Sequence, residues 1–165
     1  MLAEKLTKHT SEMIEFLESQ DTRSFSSRTQ EGKWSILENL EHLFICEKGA
    51  ERLMKVESDT IELDLEAAEK NMRSGFGDLK KKFVAGNAIL PLGRFSSYEE
   101  WKPAFLANRE ALLQLGNEMG WKGKCMGWEH PFFGYMTRAE WVVFSTVHAD
   151  RHLELIKLNA EEGAK

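Results

Sequence analysis

Residues 137–160 read TRAEWVVFSTVHADRHLELIKLNA and indicate the best-defined helix in the chain. Thr137 and Glu140 form a capping box, in which the threonine oxygen accepts a helix amide and the glutamate reaches back to the cap amide. Apolar side chains then recur at helical spacing along one face, and His148 falls among them. We therefore predict a helix from Thr137 to about Ala160, with His148 on or beside its buried face.

The same helix carries a pair of histidines, His148 and His152, four residues apart. Residues at this spacing lie about 40° apart around a helix and about 6 Å apart along it, so both imidazoles can point at one ion. Such pairs often arise by chance, but a third histidine, His42, lies on the inner side of another predicted helix, and the chain has only five histidines. We therefore predict a divalent metal site formed by these three residues. Ala149 stands where a zinc protease of the HExxH type needs its glutamate, which excludes that class.

The helix that carries His42 begins at another capping box and is predicted to run from Ser35 to about Val56. Cys46 and Gly49 follow His42 on the same face, one and two turns further along. Side chains this small leave space beside the histidine, as a binding pocket would require.

Two further long helices are predicted. Residues 2–19 place apolar side chains at alternating spacings of four and three, which is typical of an amphipathic helix. The other helix follows a third capping box at Ser97 and ends near Gly120. It starts either at Tyr98, which puts Pro103 beyond the first turn, or near Pro103, where proline is preferred.

The segment between the second and third long helices, residues 57–95, is predicted to be a long crossover. Residues 65–72 and 79–84 are each a candidate short helix within it. Because structureless loops of this length are uncommon in compact domains, we expect the segment to pack across the helices and to cover a pocket.

Length and composition restrict the protein class. A chain of 165 residues forms one ordinary domain, which we take as residues 1–165, and it is long enough to fold without a structural metal. The 42% apolar and 30% charged residues fit a globular protein, and no apolar run approaches the roughly 20 residues of a membrane span. A net charge of −5 without a basic block argues against nucleic-acid binding, and the charged start after Met1 carries no export signal, so we expect a cytoplasmic protein.

Three stretches together resemble the DinB/YfiT-like superfamily: WSILENLEHL at 34–43, HPFFGYMTRAEW at 130–141 and HADRHL at 148–153. The resemblance spans nearly the whole chain. It implies an all-α four-helix bundle with a long crossover between helices two and three, a metal held by three histidines, and frequent dimers. Its bacterial members are described as metal-dependent hydrolases or thiol S-transferases.

The family's metal ligands fall on His42, His148 and His152. Some members, including those similar to thiol transferases, have a second histidine beside the last ligand and a glutamine three residues after it. Here these positions are Arg151 and Leu155, a departure that affects the expected activity and leaves the ligands intact.

Three neutral imidazoles leave a divalent ion with an open position for water or a thiolate, as in catalytic sites. Imidazole suits zinc, nickel, iron or copper, so the ligands do not select the metal, and a low-molecular-weight thiol is a candidate co-substrate. Each ligand needs an acceptor for its second ring proton, and the candidates are Glu38, Asn39 and Asn108, the last being more consistent with an exposed edge position.

Four other residues have structural and functional interpretations. His9 lies on an apolar stripe and is either a hydrogen-bonded core residue or a fourth ligand. His130 shapes the turn before Pro131 or lines a pocket. Cys46 is a small buried hydrophobe, an extra ligand or a nucleophile, and Arg151 forms a salt bridge at the bundle rim or binds an anionic substrate.

These features favour a metal-dependent enzyme that acts on a small molecule, as a thiol S-transferase or a hydrolase. The alternative is a non-catalytic metal-binding or stress-associated bundle protein. A bundle with three unrelated histidines is the third hypothesis.

Overall fold

A computed structural model of the protein describes residues 1–56 and 59–163. In these ranges the chain forms five α-helices and two short 3-10 turns, and the only β pairing is that of isolated bridges. The predicted all-α class is therefore confirmed. No helix in the described ranges combines the length and the apolar character needed to cross a bilayer. The helices are α1 (Leu2–Glu18), α2 (Ile36–Met54), α3 (Leu65–Gly75), α4 (Tyr98–Met119) and α5 (Arg138–Gly163).

Helix α5 is the centre of the packing. It contacts α1, α2, α3 and α4, while α2 also packs along α4. Two clusters of buried apolar side chains fill the interior, and α5 contributes to both, with Trp141 to Val147 in one and Ala149 to Ile156 in the other. His148 and His152 thus lie where the two clusters meet.

Capping interactions fix where the long helices begin. The Ser35 hydroxyl accepts from the Glu38 amide at 3.1 Å, and the Glu38 carboxylate accepts from the Ser35 amide at 2.7 Å, as predicted. Thr137 and Glu140 form the same reciprocal pair at 3.2 and 2.8 Å. Because these bonds link residues only three apart, sequence alone was sufficient to predict both helix starts.

The third predicted capping box is only half formed. The Glu100 amide donates to the Ser97 hydroxyl at 3.3 Å, but the Glu100 carboxylate accepts from the amide of Ser96. Helix α4 begins at Tyr98, so Pro103 lies inside the helix and not in its first turn. The missing proline amide leaves one carbonyl of the preceding turn without its helical donor.

The crossover contains one of its two predicted helices. Helix α3 forms where residues 65–72 were predicted, whereas residues 79–84 form no helix. The Arg151 guanidinium donates to three carbonyls of this segment, those of Phe76, Asp78 and Lys81, at 2.6–3.0 Å. These bonds hold the segment as a loop against α5. Residues 57 and 58, where the predicted crossover begins, lie outside the described residues.

Arg138, the first residue of α5, is a buried arginine that joins the ends of two other helices. Its guanidinium donates to the carbonyls of Met54 and Val56 at 2.7 and 2.6 Å, at the end of α2. It also donates to the carbonyls of Met119 and Gly120 at 3.1 and 3.3 Å, at the end of α4. Helix C-termini carry unpaired carbonyls and a partial negative charge, so one cation stabilises both ends.

Candidate metal centre

The three predicted histidines meet inside the helical packing. His42 comes from α2, and His148 and His152 come from successive turns of α5. Their side chains are 4%, 4% and 8% exposed. The Nε2 atom of His148 lies 3.2 Å from that of His42 and 3.1 Å from that of His152. We call these residues the histidine triad.

Hydrogen bonds on the far side of two rings determine which nitrogen carries the proton. His42 Nδ1 lies 2.7 Å from the carbonyl oxygen of Ile89, which only accepts, so Nδ1 must donate. His152 Nδ1 lies 2.8 Å from Asn39 Oδ1. Asn39 points its amide nitrogen at the Ser35 carbonyl, 2.8 Å away, so its oxygen accepts from His152. Both rings therefore direct an Nε2 lone pair toward His148.

A divalent cation fits this arrangement of donors. One proton on His148 Nε2 can serve only one of the two facing lone pairs, whereas a cation can accept all three. Nitrogens that bind one tetrahedral zinc ion at about 2.0–2.1 Å lie about 3.3–3.4 Å apart. The observed separations of 3.2 and 3.1 Å are close to this value.

Burial keeps the triad in the neutral form that coordination requires. Desolvation lowers the pKa of His42, and it lowers the pKa of His148 well below its usual value, with neighbouring positive charges adding to the effect. Desolvation also lowers the pKa of His152 to about 3. At neutral pH all three imidazoles can offer lone pairs.

Cys46 lies beside the triad. Its Sγ atom is 3.7 Å from His42 Nε2, and the ligand atoms of His42, Cys46 and His148 all lie within 4.8 Å of one another. Burial, with a smaller effect of the Glu47 charge, raises the pKa of Cys46 to about 12. Without a bound metal the thiol is therefore protonated at neutral pH. The interpretation as a buried hydrophobe is incomplete, because this partly exposed side chain belongs to a group that could hold a metal ion.

Of the three predicted acceptors for the ligands' second protons, only Asn39 has this role. Glu38 pairs with Arg28 at 3.0 Å and completes the α2 cap. Asn108 is 2% exposed and no described residue bonds either of its amide atoms, so the expected exposed edge position was wrong. Sequence reasoning missed the Ile89 carbonyl, because a backbone acceptor at the end of a short 3-10 turn leaves no residue signature.

His9 does not join the triad. Its Nε2 lies 2.8 Å from an Asp150 carboxylate oxygen, and its Nδ1 accepts from the Arg109 guanidinium at 2.8 Å. Both ring nitrogens are therefore occupied, and the fourth-ligand interpretation is wrong. The hydrogen-bonded core interpretation is the one that the structure bears out.

A cavity of about 860 Å³ opens beside the triad. The faces of α2 and α5 form part of its wall, and Cys46 and Gly49 lie on the α2 side, as the small residues after His42 predicted. The crossover contributes Phe83 and Ile89, so it covers a pocket as expected.

His130 and Arg151 both line the cavity. His130 shapes its turn by accepting the Phe132 amide at Nδ1, 3.2 Å away, and burial lowers its pKa to about 4. Arg151 forms no salt bridge with a described carboxylate, so the predicted rim salt bridge is wrong, while its binding of an anionic substrate stays a prediction. Its guanidinium instead binds backbone carbonyls and lies over the rings of Phe76 and Phe83, 5.6 and 4.9 Å from their centroids.

Comparison with known proteins gives one match. The family model described as the DinB superfamily matches residues 5–156, nearly the whole chain. Searches of curated proteins and of solved structures found no significant match.

Proposed function

Because the chain belongs to the DinB superfamily, we propose that it is a metal-dependent protein in which His42, His148 and His152 hold one divalent ion. The proposal includes the four-helix bundle topology with its long crossover. One observation carries it: two imidazoles with fixed tautomers direct their lone pairs at the third, within the buried triad. A cation between the rings would satisfy all three lone pairs at once.

We propose that the reaction is thiol transfer or hydrolysis on a small molecule held in the adjacent cavity. A bound ion with an open position would supply Lewis-acid chemistry. Asn39 and the Ile89 carbonyl orient two ligands and make them more basic. The aromatic wall of the cavity excludes water and places the substrate against the histidines. Zinc, nickel and iron are all compatible with three imidazoles.

A non-catalytic metal-binding or stress-associated protein is the second candidate, and the position of Cys46 favours it. A thiolate 3.7 Å from His42 Nε2 would provide a fourth ligand and close the coordination sphere. Closed four-ligand sites are structural, whereas open three-ligand sites are catalytic. The two candidate functions therefore differ in whether Cys46 binds the ion.

Elemental analysis of protein purified without a histidine tag tests the shared part of both candidates. We expect stoichiometric metal in the wild type and in His9→Ala, which removes a partly buried histidine outside the triad. We expect none in His148→Ala. A wild type that stays metal-free after reloading with zinc, nickel and iron would refute the metal site.

Cobalt-loaded protein distinguishes the two functions. A thiolate ligand gives a near-ultraviolet charge-transfer band that disappears in Cys46→Ala. The enzymatic proposal expects no such band, together with metal-dependent turnover in screens for thiol transfer and ester or amide hydrolysis. A thiolate band without turnover would support the closed, non-catalytic site.

The family resemblance also leads us to propose a homodimer. Large apolar side chains of the crossover are exposed, with Val84 98% and Leu92 85% accessible, and a dimer contact would cover them. Light scattering after size-exclusion chromatography should give twice the mass of the 19.0 kDa chain. A monomer mass at micromolar concentration would contradict this proposal.

A further inference from the structure

We infer that the cavity beside the triad binds an apolar anion: a small molecule with an aromatic or branched apolar body and a single carboxylate or thiolate group. The inference rests on the proposed function only for the position of the anionic group, which we assign to the triad. The walls of the cavity support the rest.

The size and the surface of the cavity indicate an apolar body. A volume of about 860 Å³ lies within the range of roughly 300–1,000 Å³ that is typical of pockets for drug-sized ligands. Aromatic rings form much of the wall, and several pack edge to face, for example Phe83 with Phe132 at 5.1 Å between centroids. Rings of this kind offer a large apolar surface for aromatic or branched groups.

The charges that line the cavity indicate an anion. The charged side chains in its described wall are Lys33, Arg52 and Arg151, all cationic, and no aspartate or glutamate lies among them. The whole chain has the opposite balance, with 27 acidic and 22 basic residues. Three neutral ligands would also leave both positive charges of the ion uncompensated. Because the triad is buried, the charges of that ion would attract an anion more strongly than they would in water.

Gly49 leaves space in the cavity that the ligand can occupy. It lies on the cavity wall two turns beyond His42, and a Cβ atom built on it would meet no other atom within 4 Å. A larger side chain at this position therefore fills space that a ligand would use. Gly49 is helical, so the substitution introduces no backbone strain and removes the destabilising effect of glycine in a helix.

A matched pair of probes tests the inference: 2-naphthoate and its uncharged analogue 2-acetylnaphthalene, measured by titration calorimetry on the full chain. We expect zinc-loaded wild type to bind the anion at least about tenfold more tightly than the ketone, with a preference that falls as salt increases. Equal affinities for the two probes, or no binding of naphthoate, would overturn the inference.

Two variants locate the binding. Gly49→Leu should weaken both probes at least about tenfold by filling the cavity, while Gly49→Ala, which adds one carbon, serves as its control. Arg52→Gln should weaken naphthoate about two- to threefold and leave the ketone unchanged. Thermal melts verify that each variant is folded. Folded Gly49→Leu protein with wild-type affinity for both probes would show that they bind elsewhere and would refute the inference.

The metal content of the same samples separates this inference from the proposed function. Metal-loaded protein that does not prefer naphthoate refutes only the apolar-anion inference. Protein that binds no metal, but prefers naphthoate and responds to Gly49→Leu, refutes only the metal site and supports the cavity assignment.

Discussion

Helix α5 contributes to two polar clusters that contain histidine and that differ in how their hydrogen-bonding groups are paired. On one side, His148 and His152 join His42 in the histidine triad. On the other side, Asp150 bonds His9, which in turn bonds Arg109. We call the second cluster, formed by His9, Glu47, Arg109 and Asp150, the His9 network.

In the His9 network donors face acceptors. Arg109 donates to both carboxylate oxygens of Glu47 at 3.1 and 2.7 Å, and also to His9 and Thr10. His9 is held as the tautomer that accepts from Arg109 and donates to Asp150. One residue comes from each of α1, α2, α4 and α5, so the network joins the four long helices.

The triad is different, because its three Nε2 atoms face one another and a neighbouring donor, the Cys46 thiol, lies 3.7 Å from His42 Nε2. A histidine with two complementary partners is explained by packing alone. Three histidines whose lone pairs converge can be satisfied together by one cation, which is the role we propose for the metal. The hydrogen-bond partners of each ring therefore distinguish a structural histidine from candidate metal ligands. Burial does not distinguish them, because most members of both clusters are largely buried.

The largest expected effect comes from breaking the His9 network. Arg109→Met leaves the Glu47 carboxylate, only 1% exposed, without its cation, and should lower the free energy of unfolding by about 3–5 kcal/mol in denaturant titrations. The double variant Glu47→Leu with Arg109→Met should recover most of this loss, because it leaves no unpaired charge. A loss below about 1 kcal/mol in the single variant would show that the network is not structural.

The triad should respond to metal where the His9 network does not. Free metal at about 100 times its dissociation constant should stabilise the wild type by about 2.7 kcal/mol, since binding favours the folded state by mass action. His148→Ala should show no such gain in the same titration. Arg109→Met, though less stable, should keep the full gain, and a gain of zero there would show that the two clusters are coupled.

Removing the support behind one ligand should have a smaller effect. Asn39→Leu deletes the acceptor of the His152 Nδ1 proton and should weaken metal binding about 10- to 100-fold, as is typical for partners of metal ligands. Competition with a chelator of known affinity measures this change. Glu38→Gln, at a neighbouring position outside the triad contacts, should leave the metal affinity unchanged, and an equal loss there would show that the effect comes from the α2 cap.

The smallest expected effect is a pH dependence from His130. Burial lowers the pKa of His130 to about 4, so the unfolded chain, with an ordinary pKa near 6.5, takes up the proton first. Its contribution to stability is complete above pH 6.5 and is lost as the pH falls toward 4. Between pH 7 and 4.5, the free energy of unfolding of His130→Phe should therefore fall by about 1–2 kcal/mol less than that of the wild type. Denaturant titrations measure this difference. Parallel pH profiles for the two proteins would contradict this.

Local chemistry explains what could be predicted from the sequence. The starts of α2 and α5 follow from pairs of residues three apart, and the spacing of His148 and His152 follows from helix geometry. To predict that His42 lies near this pair, it was enough to assign His42 to the inner face of its helix. Short-range rules were sufficient for these features.

Long-range contacts explain what could not be predicted. Residues 79–84 lack their expected helix where Arg151, some 70 residues later, binds the Lys81 carbonyl within the segment and the Asp78 carbonyl just before it. Asn108 was expected on an exposed edge but is buried, because the packing of α2 against α4 decides which face of α4 is covered. No spacing in the sequence indicates such contacts.

The position of Arg138 late in the sequence affects when its hydrogen bonds can form. A ribosome makes α2 and α4 before it reaches residue 138, so the carbonyls at Met54 and Met119 emerge without the guanidinium that later binds them. Until then these carbonyls must be hydrated, and the two helix ends cannot be buried together. The same helix carries His148 and His152, so the residue that joins the ends of α2 and α4 and two of the three candidate metal ligands are made together.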